Sequence, residues 1–267
     1  MSSVEDEAGL NIAGRLIELH DFKQSNECFH GYKVYIKKMG IEEIKLIYIK
    51  GEPINAQYLD QLFNPRLIVF LSKHSSESGI PTLCVHTPGN FGRAELGGLP
   101  GKLSISPANA MRRALLEMIK GRMDYNLKYE VSYECTHHGP SLNVPTMFVE
   151  LGSSERQWRD TQAAAVVARA ALAAAAGKDD CAAVLGIGGP HYNRKFTELA
   201  LYGRFAFGHI IPNYALSNID LGMIKQCVLR TLEKVEKSVL DWKGIKGISK
   251  QKLLEYLNTL NLEVQKV

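Results

Sequence analysis

Residues 134–158 read ECTHHGPSLNVPTMFVELGSSERQW, and we take this stretch as the centre of the fold. The run before it, from Tyr129 to Glu134, alternates apolar and polar side chains, which predicts a strand. Pro145–Leu151 is mostly apolar and predicts a second strand. Two adjacent histidines, His137 and His138, lie between the strands, so we expect a site where the first strand ends.

The second strand is expected to turn into a helix. Ser154 is followed three residues later by Gln157, which is the spacing of a capping box. A strand, a short turn at Gly152 and Ser153 and a helix N-terminus present free backbone N–H groups. We therefore predict that this turn binds an anion or a carbonyl oxygen.

The rest of the chain alternates predicted strands with predicted helices. Leu67–Leu71 and Cys181–Ile187 are continuous apolar runs, typical of strands buried on both faces. Two C-terminal helices are expected, at about Asp220–Lys237 and Ser249–Leu260. The pattern predicts residues 1–267 as one three-layer α/β/α domain around a mixed, mainly parallel sheet.

Composition places the chain among ordinary globular proteins. Its 32 Lys and Arg against 28 Asp and Glu give a net charge of +4, which permits a nucleic-acid partner without requiring one. The five cysteines are widely spaced and form no C-x-x-C pair, so we expect a reducing compartment and a cytoplasmic protein. No stretch reaches the length of a membrane span, and no membrane partner is predicted.

Further histidines follow other predicted strands, beside glycine-rich loops. The candidates at these strand ends are His74, His86, Gly188, Gly189, His191 and Tyr192. Ligands in open α/β sheets bind at strand ends, and glycine lets a substrate approach the backbone. His209 is flanked by apolar residues and fits a core role as well as a site role.

If these strand ends converge, imidazoles and carboxylates meet without a thiolate cluster, a ligand set that suits zinc with an open position for water. The predicted metal ligands are His86, His137, His138 and Glu134, and the predicted catalytic residues are His138, Glu150 and His191. A histidine-activated water without metal is the alternative. In extended geometry Glu134 and His138 share a face and His137 lies on the other, which predicts different roles for the two histidines.

Six segments, in this order and at these separations, carry a resemblance to a known family. They are HSSESG (74–79), HTPGNFG (86–92), YECTHHGPSLNVPTMFVELGSSERQW (133–158), LGIGGPHY (185–192), FGHIIPNYA (207–215) and DWKG (241–244). Together they resemble the D-aminoacyl-tRNA deacylases of the archaeal and plant type, and the T-H-H-G-P and G-I-G-G-x-H-Y segments are the most specific.

The resemblance implies hydrolysis of the ester between a D-amino acid and the terminal ribose of tRNA. It implies zinc, up to two ions per chain, and a fold similar to phosphorylases and peptidyl-tRNA hydrolases. We expect His74, Gly152, Ser153, Gly188, Gly189 and Tyr192 to contact substrate or tRNA. The polar residues 1–7 depart from the family, whose members open on a short apolar strand, so either the start is clipped or an edge strand is absent.

Two other functions fit the residues alone. The histidines and glutamates would also serve a metal-dependent peptidase or amidase that acts on small substrates. A non-catalytic RNA- or nucleotide-binding module on a similar fold is the other, for which Lys243, Lys246, Lys250 and Lys252 would contact phosphates.

Overall fold

The computed structural model describes residues 1–177, 181–246 and 248–267. The strands are β1 (Ser2–Ser3), β2 (Lys23–Phe29), β3 (Tyr32–Met39), β4 (Glu42–Leu46), β5 (Tyr48–Ile49), β6 (Ile68–Ser75), β7 (Thr82–His86), β8 (Glu130–Tyr133), β9 (Thr146–Ser153), β10 (Ala182–Ile187), β11 (Phe205–Ile211), β12 (Val235–Leu240) and β13 (Glu263–Lys266). The α-helices are α1 (Glu7–Leu19), α2 (Leu59–Leu62), α3 (Ala108–Asp124), α4 (Glu155–Trp158), α5 (Thr161–Ala176), α6 (Arg194–Tyr202), α7 (Leu221–Leu229) and α8 (Lys250–Thr259). Strands alternate with helices along much of the chain, which confirms the α/β class.

The larger sheet is mixed and mostly parallel, as predicted. Within the described residues it has six strands in the order β5-β1-β6-β9-β7-β8. The first four strands run parallel, β7 pairs antiparallel with β9, and β8 is parallel to β7. The pair β7 and β8 therefore runs against the rest of the sheet.

The two faces of this sheet differ because alternate residues of a strand point to opposite faces. Leu71 of β6, Leu83 and Val85 of β7, and Val149 and Leu151 of β9 are buried in one cluster with apolar residues of α1, α3 and α5. Through these aliphatic residues, the three helices pack on one face of the sheet. The residues between them face the other way, and several of those are polar.

The second sheet contains β11, β10, β12 and β13 in that order, and its strands are all parallel. The chain leaves β10 for β11 on one side and returns to β12 on the other, so the strand order reverses at β10. Leu185 and Ile187 of β10 are buried in one cluster with Leu253 and Leu257 of α8. Helix α3 contacts both sheets, at β7 and at β11.

Several helices begin where an aspartate accepts hydrogen bonds from free backbone N–H groups. Asp6 caps α1, Asp160 caps α5 and Asp220 caps α7. The start predicted at Asp220 is therefore confirmed. No helix in the described ranges is both long enough and apolar enough to cross a lipid bilayer.

One of the two alternatives given for the polar start, an absent strand, is wrong, and so is the expected end of the helix that begins after Asp220. The polar start does form a strand, and Ser2 and Ser3 are fully buried in β1 between β5 and β6. The helix expected to run to Lys237 ends at Leu229, and β12 follows it. Glu233 accepts N–H groups of Ala108 and Asn109 at the start of α3, which turns the chain away from helical geometry.

A third, antiparallel sheet of β2, β3 and β4 was not expected as a separate unit. The largest buried cluster nevertheless contains residues of both larger sheets, such as Val149 and Phe207. That continuity agrees with one domain over residues 1–267, which stays a prediction.

Candidate active site

The candidate site lies on the polar face of the larger sheet. Cys84 of β7 pairs with Glu150 of β9, and His86 pairs with Phe148. His74 of β6 lies two residues beyond Ser72, the partner of Glu150. Because side chains on one face recur every second residue, these polar groups project together, away from the helices.

Glu134 lies at the centre of the cluster and is 2% exposed. Its Oε1 is 3.2 Å from His74 Nδ1 and 3.9 Å from His191 Nε2. Its Oε2 is 3.2 Å from His86 Nδ1 and 3.7 Å from His137 Nε2. Burial alone would raise the pKa of Glu134, but His86, His74 and His137 lower that pKa well below its ordinary value. The carboxylate is therefore ionised, yet neither oxygen receives a hydrogen bond of good geometry.

Backbone carbonyls set the protonation of the two adjacent histidines. His137 Nδ1 is 2.9 Å from the Cys135 carbonyl oxygen, and His138 Nδ1 is 2.7 Å from that of Gly139. A carbonyl oxygen only accepts, so each Nδ1 carries the proton and each Nε2 keeps a lone pair. Burial lowers the pKa of His137 well below its usual value and lowers that of His138 to about 3, so both rings are neutral.

No neutral form of His86 satisfies both of its neighbours. Its Nε2 is 3.1 Å from His138 Nε2, and its Nδ1 faces the Glu134 carboxylate. A proton on Nδ1 leaves two lone pairs in contact at Nε2, and a proton on Nε2 turns a lone pair toward the carboxylate. His137 Nε2 also turns its lone pair toward Glu134. The arrangement calls for a positive charge between the rings.

His74 connects the carboxylates to the cavity wall. Its Nδ1 lies between Glu134 and Glu150, 3.5 Å from Glu150 Oε2, and its Nε2 is 3.1 Å from the hydroxyl of Tyr192. Burial would lower the pKa of His74, but hydrogen bonding and charge from Glu150 and Glu134 outweigh it and raise the pKa above its ordinary value. A protonated His74 donates from Nε2 to the Tyr192 oxygen, which leaves the Tyr192 O–H free to donate into the cavity.

The cluster forms the floor of a cavity of about 320 Å³. The polar floor includes His137, His138, Glu150, His191 and Tyr192. Apolar residues form part of the wall, namely Pro53, Ile54 and Leu96. A cavity with a polar floor and a partly apolar wall suits a small ligand that carries both a reactive polar group and a side chain.

The structure brings most of the predicted site residues together. The ligand atoms of His86, His137 and His138 lie within 4.8 Å of one another, and those of Cys135, His137 and His191 form a second such group. Glu134 belongs to a third group, with His74, Cys84 and Glu150. The roles assigned to these residues stay predictions.

The prediction that His137 and His138 face opposite ways is wrong. Their ring centroids are 4.3 Å apart, and both rings meet His86. Strand β8 ends at Tyr133, and His138 has a φ of 41°, so the extended alternation does not hold. His209 is a core residue, because it is fully buried and contacts Thr136 and the Arg230 carbonyl.

The four glycine and serine candidates lie outside the cavity lining. Gly152 and Ser153 are buried within β9, and Ser153 donates to the Ile80 carbonyl oxygen. The helix after them, α4, has only four residues, so the expected anion-binding helix start is not formed. Gly188 and Gly189 have positive φ angles of 99° and 82° and lie against Asp241 and Asn193.

Sequence reasoning missed two thiols and a phenol. Cys84 Sγ is 3.6 Å from Glu150 Oε2, and Cys135 Sγ is 3.1 Å from His191 Nδ1 and 3.2 Å from the Tyr214 hydroxyl. Cys84 precedes His86 by two residues, so strand alternation applied to β7 would have placed it beside the site. Tyr214 carried no such signal, because it lies in a short 3₁₀ helix, Asn213–Asn218, that follows β11.

Comparison with known proteins gives a consistent match. A family model described as D-aminoacyl-tRNA deacylase matches residues 62–265. A D-aminoacyl-tRNA deacylase of Pyrococcus furiosus is 38% identical over 98% of this chain and 97% of that protein. One of Methanosarcina mazei is 35% identical over 99% of this chain and 90% of that protein. A crystal structure of a conserved protein of unknown function has a TM-score of 0.89 and 31% identity, over 99% of this chain and 93% of that one.

Proposed function

This chain belongs to the D-aminoacyl-tRNA deacylase family, and we propose that the cluster around Glu134 is its catalytic centre. The chain hydrolyses the ester of D-aminoacyl-tRNA, and the products are the free D-amino acid and tRNA. One observation carries the assignment of the site. Unprotonated imidazole nitrogens meet beside a buried, ionised carboxylate at the floor of the cavity.

Zinc is the proposed cofactor, held by the Nε2 atoms of His86, His137 and His138. Three neutral imidazoles with room for one more ligand are a common donor set of catalytic zinc. A zinc ion bound there would lower the pKa of a water toward 7 and polarise the ester carbonyl. Glu134 Oε2 lies 3.2 Å from His86 Nδ1, the ring nitrogen that would not bind the ion, and it would orient that ring as carboxylates commonly do for metal-bound histidines.

A second ion is proposed for the group of His74, Cys84, Glu134 and Glu150. Burial and the two glutamates raise the pKa of the Cys84 thiol well above its usual value. The thiol would therefore have to lose a tightly held proton on binding, which weakens this position relative to the three histidines.

When no ion occupies the second position, Glu150 is the proposed general base. It lines the cavity, and His74 holds its Oε2 in place, so the carboxylate can accept a proton from the attacking water. Tyr192 would donate its free O–H to the ester, because its oxygen is occupied by His74. His138 becomes a ligand in this scheme, and His191, on the cavity floor, is assigned to contact the terminal ribose.

Chirality would be enforced by the shape of the cavity. With the ester held over the polar floor, a D side chain would extend along Pro53, Ile54 and Leu96. The side chain of an L-amino acid would point toward the floor instead and would meet the rings of His137 and His138. Selection of this kind acts by a clash against the wrong isomer.

The function is tested by incubating purified protein with D-Tyr-tRNA and with L-Tyr-tRNA. We expect release of D-tyrosine and much slower release of L-tyrosine. Equal rates on the two esters, or no release from the D ester, would reject the function.

The cofactor is tested separately, by elemental analysis of protein purified without added metal and by an anomalous map at the zinc edge. Zinc density among His86, His137 and His138 is expected. Full activity in protein free of metal would support the histidine-activated water instead. We also propose a cytoplasmic location, because the substrate is a tRNA of translation.

A further inference from the structure

We propose that the carboxyl edge of the second sheet binds the tRNA strand that leads into the site. This inference rests on the proposed function and adds the surface that would hold the nucleic acid. The edge is formed by the loops after β10 and β12 and by the end of β13. The residues that matter most are Lys243, Lys246, Lys250 and Lys266.

The edge is continuous with the catalytic cluster. The loop after β10 runs from Gly188 to His191, and three residues span no more than about 11 Å. Gly188 lies against Asp241, at the end of β12, where an added side chain would meet Asp241 atoms at 3.3 Å. The strand order of the second sheet reverses at β10. Ligands of open α/β sheets bind in the crevice that forms beyond the carboxyl ends of the strands at such a reversal.

The positive charges at this edge are not neutralised by the protein. Among the described residues, none of the four lysines forms an ion pair, and Lys243, Lys246 and Lys266 are exposed. Asp241, the acid that follows β12, is paired with Lys195.

The opposite edge of the same sheet differs. Lys234 and Lys237, at the amino end of β12, pair with Glu236 and Glu263. Net positive charge is therefore concentrated at the end of the sheet that adjoins His191. A polyanion such as RNA is the partner that this field favours.

Two of the lysines are held in place by one aromatic ring. The ammonium of Lys250 is 4.7 Å from the Trp242 ring centroid, and that of Lys266 is 3.9 Å from it. The backbone N–H of Trp242 donates to a carbonyl oxygen of Val267, which ties the residue that carries the ring to the end of β13. Cation–π contact leaves the ammonium N–H groups able to reach phosphate, and side chains that are already ordered lose less entropy on binding.

The test compares two double variants with the same change in charge. Lys243→Glu with Lys246→Glu alters the proposed surface, and Lys120→Glu with Lys234→Glu alters exposed lysines on α3 and before β12. The affinity of each variant for tRNA that carries no amino acid is measured at several salt concentrations. Hydrolysis of D-tyrosyl-adenosine, an ester that ends at the terminal nucleoside, is measured in parallel.

We expect the first variant to bind tRNA at least about tenfold more weakly and to lose about 1.5 from the slope of log affinity against log salt. Its rate on D-tyrosyl-adenosine should match that of the unaltered protein, and the control variant should bind tRNA normally. Unchanged tRNA binding, or an equal loss in both variants, would overturn the proposed surface. Failure of the unaltered protein to prefer the D ester would instead overturn the proposed function, so the two failures are distinguishable.

Discussion

Replacing Glu134 with glutamine removes the charge at the centre of the cluster and keeps the shape of the side chain. The carboxylate lies 3.2 Å from both His86 Nδ1 and His74 Nδ1. A carboxylate that orients a metal-bound histidine typically contributes about 10- to 100-fold to metal affinity. That range corresponds to about 1.4–2.7 kcal/mol of binding free energy. Glu134→Gln is therefore expected to weaken binding of the tighter zinc ion by one to two orders of magnitude.

Zinc affinity is measured at pH 7.5 by competition with a chromophoric chelator, and hydrolysis of D-Tyr-tRNA is followed at low and high zinc. Glu150→Gln is the matched control, because Glu150 also contacts His74 but not His86 or His137. Glu150→Gln should keep the zinc affinity of the three-histidine site. Its kcat should fall about 10²- to 10⁴-fold, which is the usual contribution of a general base. Added zinc should restore much of the activity of Glu134→Gln and none of that of Glu150→Gln.

Two results would refute this reasoning. Unchanged zinc affinity in Glu134→Gln would show that the carboxylate does not support the three-histidine site. A kcat within about threefold of the unaltered protein in Glu150→Gln would remove Glu150 from the role of base, since such a loss is far below the range expected for that role.

Three further predictions test the surroundings of the site. Tyr192→Phe should lower kcat about 10- to 100-fold with zinc content unchanged, and loss of zinc would contradict its assignment as a donor to substrate. Joint replacement of Ile54 and Leu96 by alanine should reduce the ratio of kcat/KM for D- over L-Tyr-tRNA about tenfold or more, and an unchanged ratio would exclude this wall. Burial lowers the pKa of His209 to about 4, so its contribution to stability is complete above pH 6.5 and is lost as pH falls toward 4. Urea unfolding at pH 7 and pH 5 should show a drop of up to about 1.4 kcal/mol per pH unit from this residue, and His209→Asn should lack it.

The strands and the histidines of the cluster could be predicted from the sequence because both depend on local patterns. Most residues of the apolar runs that predicted β6 and β10 are buried in the structure, and the strand predicted before Glu134 is β8. The conformation of the stretch after Glu134 could not be predicted in the same way. His138 takes a positive φ, and the direction of both imidazoles is set by contacts to the carbonyls of Cys135 and Gly139.

The wrong helix over β12 has a similar cause. Apolar residues recur at helical spacing beyond Leu229, and a pattern of that kind predicts a continuous helix. The chain instead turns at Arg230, whose guanidinium donates to the carbonyl oxygens of Leu103 and Leu142, while Glu233 accepts from the start of α3. These partners lie about 90 residues or more away in sequence, so tertiary contacts override the local pattern.

The reversed direction of β7 and β8 explains why the site occupies a face of the sheet. Had all strands run parallel, the groups that follow them would have met at one edge, as the sequence reasoning assumed. Because β7 runs against β9, His86 enters from one end of the sheet and His74 from the other, and the pairing of Cys84 with Glu150 sets the distance between them. A shift of one residue in that register would turn Cys84 and His86 toward the helices and bring Leu83 and Val85 to the site. The aliphatic residues that bury the helix face of β7 therefore also hold the catalytic groups in register.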